Sequence, residues 1–258
     1  CNDYYISVGK EIFDKYCEQI KITPQRYQIV RSAFNTTKFA NASHFRSKVR
    51  KELGLTDQDI AIGMIARVAK QKGYEYFVEA CHNLVDSPYN FKFFSFGKLE
   101  DPDYYNKIKK SLADIEDRVT FMGSVDHTDM PAMLSSMDVI IHTALWEGLP
   151  RAVAESLVAN KPVVTFDVDG VKEIIEHGKN GYIVQSGDVD EICKYVLKLI
   201  DEGLKDFASH ALETNKKLVD EFNVENMING IEETYILLLN QNKERWKGSS
   251  LDSGTREE

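Results

Sequence analysis

Over the middle of the chain, short apolar runs alternate with amphipathic stretches. Residues 60–66 (IAIGMIA) form an apolar run without helical period, and residues 74–85 (YEYFVEACHNLV) then place Phe77, Ala80, Cys81 and Leu84 on one helical face. The same alternation predicts further strands at 91–97, 119–123, 138–144, 162–167 and 181–184. Between them it predicts helices over about 103–116, 130–137, 150–159 and 171–177. Six short apolar strands separated by helices imply a parallel sheet covered on both faces, a doubly wound α/β fold. After Asp188 the pattern is helical only, with segments at 188–202, 204–221 and 224–243, and residues 248–258 read as a solvated tail. Before residue 58 the pattern predicts a helix over 4–20, an extended piece at 29–34 and a helix from Ser43 to Leu53 that stops at Gly54.

Composition narrows the function classes. The net charge of −9 argues against a nucleic-acid binder, whose footprint would be basic. The charge is uneven, since residues 1–57 carry 10 basic and 6 acidic groups while the remainder is strongly acidic. No apolar run approaches the length of a spanning helix. Cys1, Cys17, Cys81 and Cys193 lie far apart with no C-x-x-C pair, which gives neither a zinc site nor a disulfide framework and fits a reducing cytosol. The chain starts at Cys1 rather than Met, and we expect it to be part of a longer or processed protein.

In an open parallel sheet, ligands bind beyond the carboxyl ends of the strands. The first such turn, Arg67 to Gly73, lacks G-x-G-x-x-G, which demotes a nicotinamide or flavin cofactor. It offers Arg67 as a planar fork and Lys72 as a point charge, both suited to phosphate oxygens. Each would otherwise be an ordinary solvated surface charge. The fourth turn reads Trp146-Glu147-Gly148-Leu149-Pro150. Pro150 suits the first helical position, so Gly148 and Leu149 are expected to present free N–H groups at the positive end of the following helix, a ready anion site. Glu147 and Glu155 bracket it. Carboxylates repel phosphate, so their useful partners are neutral hydroxyls such as those of a sugar; otherwise they merely complement the helix dipole.

EGLPRAVAE, from Glu147 to Glu155, resembles the Glu-seven-residues-Glu signature of the retaining glycosyltransferases of family 4 (group 1), which have the two-domain GT-B fold. The stretch from Gly63 to Gly73 resembles that family's phosphate-binding turn, and DGVKEIIEHGKNGYIV from Asp169 to Val184 its closing segment. The resemblance implies a six-stranded Rossmann-like donor domain over 58–216, the C-terminal half of a GT-B fold. Residues 1–57 would then be a remnant of the acceptor domain plus the linker, and helices over 217–247 would cross back to an acceptor domain that is mostly missing. It further implies that Arg67 and Lys72 hold the donor diphosphate, Glu147, Gly148 and Leu149 the sugar and phosphate, and Glu155 the ribose, with Val125 beside the base. The implied substrates are a nucleotide-diphosphate sugar and a glycan or glycolipid acceptor. No cofactor or metal would take part, nucleic acid would not be a partner, and the cytoplasmic enzyme would associate peripherally with the inner face of a membrane.

Three positions depart from the family pattern. Ala66 stands where Gly is usual, and its methyl is expected to crowd a close backbone approach. Asn160 stands where Gly is common, but Asn tolerates the left-handed conformation of a helix end. His142 lies within the fourth strand and is expected to be a satisfied core histidine. Asp167-Val168-Asp169 matches a metal-diphosphate D-x-D motif, yet the same spacing recurs at Asp57/Asp59, Asp101/Asp103 and Asp188/Asp190, so Asp169 is read as a turn residue or N-cap. A nucleotide-sugar 2-epimerase and a non-catalytic nucleotide-sugar-binding module would use the same cradle and remain alternatives.

Overall fold

The computed structural model describes residues 4–23 and 26–249, with side chains to residue 241. The chain opens with β1 (Tyr5–Ser7), α1 (Lys10–Gln19) and β2 (Tyr27–Ile29), a small unit in which the two strands pair in parallel. α2 (Thr36–Ala40) and α3 (Arg46–Glu52) follow. The main sheet is then built by β3 (Asp59–Ile65), α4 (Tyr74–Val85), β4 (Asn90–Phe96), α5 (Pro102–Ser111), β5 (Val119–Gly123), α6 (Met130–Ser136), β6 (Val139–His142), α7 (Arg151–Val158), β7 (Val163–Phe166) and β8 (Gly181–Val184). Three helices close the chain: α8 (Val189–Asp201), α9 (Leu204–Glu221) and α10 (Val224–Ser249).

The main sheet is parallel throughout, in the order β5-β4-β3-β6-β7-β8. The doubly wound expectation therefore holds, six strands included. The sequence feature responsible is apolar residues on both faces of each strand: Phe91, Phe93, Phe94 and Phe96 of β4 are all buried. α4, α5 and α8 cover one face, while α6 and α7, backed by α2, α3 and α9, cover the other. Chain order runs outward from β3 to β5, then returns to β6 on the other side of β3. The topological switch point thus lies between β3 and β6, where an open α/β sheet has its ligand crevice.

The sequence reading missed several features of the first 57 residues. Residues 4–20 are not one helix, because Gly9 in extended conformation separates β1 from α1. α2 was not anticipated. Phe34 and Phe39 join the main core, so packing with the large domain begins well before residue 58, the boundary expected from sequence. The basic character of this stretch has a structural use. Arg46 donates to the carbonyls of Ser135 and Met137, and Arg50 to that of Ser136, which satisfies the carbonyl end of α6. Both guanidiniums also hold Asp138, whose other contact is the Ala61 N–H of β3 at 2.8 Å. Lys161 adds a bond to Ser135 O at 2.8 Å.

Other expectations shift by a few residues. The helix foreseen over 103–116 ends at Ser111, and a separate 3-10 turn occupies Glu116–Arg118. The helix expected over 171–177 is only a 3-10 turn, Val171–Glu173. α10 extends through Ser249, so the expected tail begins inside a helix, and residues 250–258 lie outside the described residues. α10 runs back against the opening segment: Thr234 bonds the Gln28 side chain, and the Ala33 N–H faces Met227 Sδ at 3.5 Å. Cys17, Cys81 and Cys193 are buried free thiols, as expected of core residues, and burial pushes the Cys193 thiol up to about 12. Among the described residues no helix is long and apolar enough to cross a membrane.

Candidate active site

The turns after β3 and β6 are stitched together at the switch point. The Leu145 N–H donates to Gln71 O at 2.9 Å, Gln71 Nε2 to Trp146 O at 3.0 Å, and Thr143 Oγ1 to Lys72 O at 3.2 Å. Gly73, at φ +63°, makes this possible. A Cβ there would lie 2.1 Å from the Thr143 carbonyl oxygen. The stitching brings Lys72 Nζ to 2.5 Å from Glu147 Oε1, with side chains only 12% and 14% exposed. Neither residue is therefore a solvated surface charge. Burial pushes the Glu147 carboxyl up, but His142 and Lys72 beside it outweigh that and hold it below the usual carboxylate range.

α7 begins at Arg151 with Pro150 as its N-cap, one residue later than the sequence suggested. The Val153 and Ala154 N–H groups both reach Pro150 O. Arg151 and Ala152 thus carry the free N–H groups of the helix start, and Gly148 and Leu149 belong to the turn before it. A Cβ on Gly148 would meet nothing within 4 Å, so the backbone there fronts open space. Behind it, Gly170 at φ +75° packs so closely that a Cβ would come within 2.7 Å of Gly148 O.

Glu155 is 5% exposed. Arg151 Nε donates to its Oε1 at 2.9 Å, and His127 Nε2 lies 3.0 Å from the same oxygen. With Lys72 on Glu147 and Arg151 on Glu155, neither carboxylate stands as a bare negative charge beside the turn before α7. Arg67 is not brought to the others. Its guanidinium holds Glu100 at 2.5 Å in a pair whose side chains are about half exposed. Val125, in the loop after β5, packs partly buried against the core. Ala66 is buried in that core, with its N–H on Phe96 O and its carbonyl accepting from Tyr74 Oη. Asn160 adopts φ +57°, the left-handed conformation expected of it. Asp167 pairs with Lys172, and Asp169 with Lys15, in the turn after β7.

Three residues here escaped the sequence reading. Arg151 was legible as the i−4 partner of Glu155 on one helix. His127 carries no local signal. Glu173 caps α1 from the far end of the sequence, accepting the Glu11 N–H at 2.7 Å and Arg31 at 2.6 Å; Glu11 in turn accepts the Gly170 N–H at 2.9 Å. Burial pushes the Glu173 carboxyl up, but these donors prevail and hold it low. His142, expected to be satisfied, is buried with Nε2 unpartnered.

Cavities of about 770 and 590 Å³ lie elsewhere, the larger beside Arg46, Arg50, Asp57, Asp59 and Asp138 at the opposite, amino-terminal edge of the sheet. Size alone would favour that edge. Its two arginines, however, are already spent on carbonyls and Asp138, whereas the switch-point turns carry an open glycine backbone beside a fixed ion pair.

The family model for glycosyl transferases group 1 matches residues 45–233. The chain belongs to this family. It is 22% identical over 240 residues to the UDP-Gal:alpha-D-GlcNAc-diphosphoundecaprenol alpha-1,3-galactosyltransferase of Escherichia coli, covering 92% of this chain and 60% of that enzyme. It is 30% identical over 166 residues to the alpha-D-kanosaminyltransferase of Streptomyces kanamyceticus, covering 64% of this chain and 42% of the relative. The chain thus spans about half the length of these group 1 relatives. Among solved structures, Anabaena HepE in complex with UDP-glucose superposes with a TM-score of 0.80 at 22% identity, over 89% of this chain and 62% of HepE, a likeness of fold.

Proposed function

We propose that this group 1 chain is the donor half of a retaining hexosyltransferase, which moves a sugar from a nucleotide diphosphate to a glycan or glycolipid hydroxyl. The observation that carries the reading is the Lys72–Glu147 pair fixed at the β3/β6 switch point beside the open Gly148 backbone. The donor's diphosphate lies against Gly148 and Leu149 at the start of α7, with Lys72 on its oxygens and Arg67 swinging from the exposed Glu100 to join it. Glu147 faces sugar hydroxyls, Glu155 faces the ribose, and Val125 lies beside the base. As the bond from anomeric carbon to diphosphate breaks, charge builds on phosphate oxygens that Lys72 and the helix start already face. Preorganised donors of this kind need no reorganisation in the transition state. The nucleotide sugar is substrate, with no resident cofactor or metal.

The acceptor half would precede this chain. Support comes from the β1–α1–β2 unit, whose Ile6, Tyr16, Ile20 and Tyr27 are exposed, and from the partial span of the relatives. The cytoplasmic, peripherally membrane-associated setting belongs to the same proposal and follows the lipid-linked acceptor named for the Escherichia coli relative. Calorimetric titration with uridine, guanosine and adenosine diphosphates and their sugars tests the donor site. Binding of one diphosphate and its sugar supports the reading; no binding by any of them refutes it. Proton NMR of the product made by the longer protein reports the anomeric configuration, and inversion would refute the retaining assignment.

A further inference from the structure

Among the described residues, one buried side-chain polar atom lacks a hydrogen-bond partner, and it is Nε2 of His142. This residue is 2% exposed at the last position of β6, where Val139, Ile140 and Ile141 before it are ordinary core residues. Its Nε2 lies 3.4 Å from Glu147 Oε1, the oxygen that Lys72 holds at 2.5 Å. An unpartnered buried nitrogen is costly, and this one points at the carboxylate with the strongest claim to face the donor sugar. The arrangement is a carboxylate with one donor engaged and a second in reserve.

Lys72 has two uses in the proposed reaction, as partner of Glu147 and as ligand of the diphosphate. A buried carboxylate left without a partner is strongly destabilised. We propose that His142 is the positioning residue for Glu147: its Nε2–H closes on the carboxylate as Lys72 turns to the donor diphosphate, keeping the remaining oxygen of Glu147 aimed at the sugar. This rests on Glu147 meeting the donor sugar. The closure requires a particular tautomer, because a carboxylate only accepts and a bare Nε2 would repel it. A histidine that merely filled the core would carry no such requirement.

Two measurements on the whole chain test this. The first needs no ligand. Long-range proton–nitrogen NMR at a pH above the ordinary imidazole range reports which ring nitrogen of His142 is protonated, in the native chain and in Lys72→Met. The proposal expects Nε2–H in both, with the Nε2 resonance moving in Lys72→Met as the bond closes. A ring protonated at Nδ1, or an Nε2 signal indifferent to loss of Lys72, would overturn it. The second is titration with UDP, UDP-glucose, GDP and GDP-mannose. His142→Phe is expected to weaken the nucleotide sugar about tenfold to hundredfold, as for a lost bond to a charged group, and its nucleoside diphosphate by clearly less, because both ligands draw Lys72 from Glu147 but only the sugar meets the carboxylate. His142→Gln, which returns an N–H, is expected to recover most of the loss. Equal weakening of both ligands, or none, would overturn the proposal. If the native chain bound none of the four, nor adenosine diphosphate or its sugar, the donor-site reading would fail, and the tautomer would still decide the bond to Glu147. Should His142→Phe not fold, His142→Gln and the NMR measurement decide.

Discussion

Lys72 and Arg67 come from the same turn, yet the fold treats them differently. Lys72 is enclosed and fixed on Glu147, whereas Arg67 is half exposed on Glu100, in a surface pair worth ~0–1 kcal/mol. Lys72→Ala is therefore expected to weaken nucleoside diphosphates strongly and nucleosides little, with Arg67→Ala giving the same selectivity at smaller amplitude. Calorimetric titration in low and high salt checks both. Glu155→Ala is expected to cost ~1.5–3 kcal/mol of nucleotide binding, through lost bonds to a charged acceptor and through the release of Arg151 and His127. Lys161 supplies a pH test at the other edge of the sheet. Burial, helped by Arg46, pulls its ammonium from 10.5 down to about 8, although the residue as a whole is only half-buried. Between those values the unfolded chain holds a proton that the folded chain has released, so stability rises with pH across that window. Below it, the enclosed charge costs the fold about 3 kcal/mol. Lys161→Met is expected to be more stable than the native chain at neutral pH, with the advantage shrinking from pH 8 to 10.5 in denaturant melts. The identities of Lys72, Glu147, Gly148 and Glu155 were legible because spacing relative to a strand end and a helix start singles them out. Partners such as His127 and Glu173 were not, because those contacts are made by distant segments.

At the scale of elements, two glycines in neighbouring turns make opposite demands. Gly73 sits at φ +63° with the Thr143 carbonyl where a Cβ would be, so Gly73→Ala is expected to cost at least ~1–3 kcal/mol and to part Lys72 from Glu147. Gly148 faces open space, so Gly148→Ala is expected to leave the melting temperature unchanged while weakening diphosphate binding, because its methyl would occupy the anion's place. Thermal melts and titration of the two variants separate fold from site. Strands were the most legible elements: Val119–Gly123 and Gly181–Val184 coincide with the expected runs, because apolar residues bounded by glycine or charge leave little freedom in register. Helices near the turns were less so. The stretch 171–177 has helical composition, but Gly170 is held left-handed against Gly148, and Glu173 is drawn away to cap α1. Tertiary contacts there override local propensity.

At the scale of the molecule, the charge asymmetry of the sequence becomes architecture. The basic opening segment closes the amino-terminal edge of the sheet through Arg46 and Arg50, and the opposite edge carries Lys72 and the start of α7, the proposed place of an incoming anion. The doubly wound sheet was legible from its alternation, but the interlock of α1 with the turn after β7 was not, because it depends on two elements 160 residues apart meeting through Glu11, Gly170 and Glu173. The central claim is that the β3/β6 switch point, and not the larger cavity beside Arg46 and Arg50, receives the nucleotide diphosphate. Hydrogen exchange of the chain with and without a saturating nucleoside diphosphate tests it most directly. New protection is expected to centre on the amides of residues 69–73 and 147–155, with the turn around Val125 joining it, and to be abolished in Lys72→Ala. Protection centred instead on residues 46–59, with the switch-point turns unchanged, would contradict it.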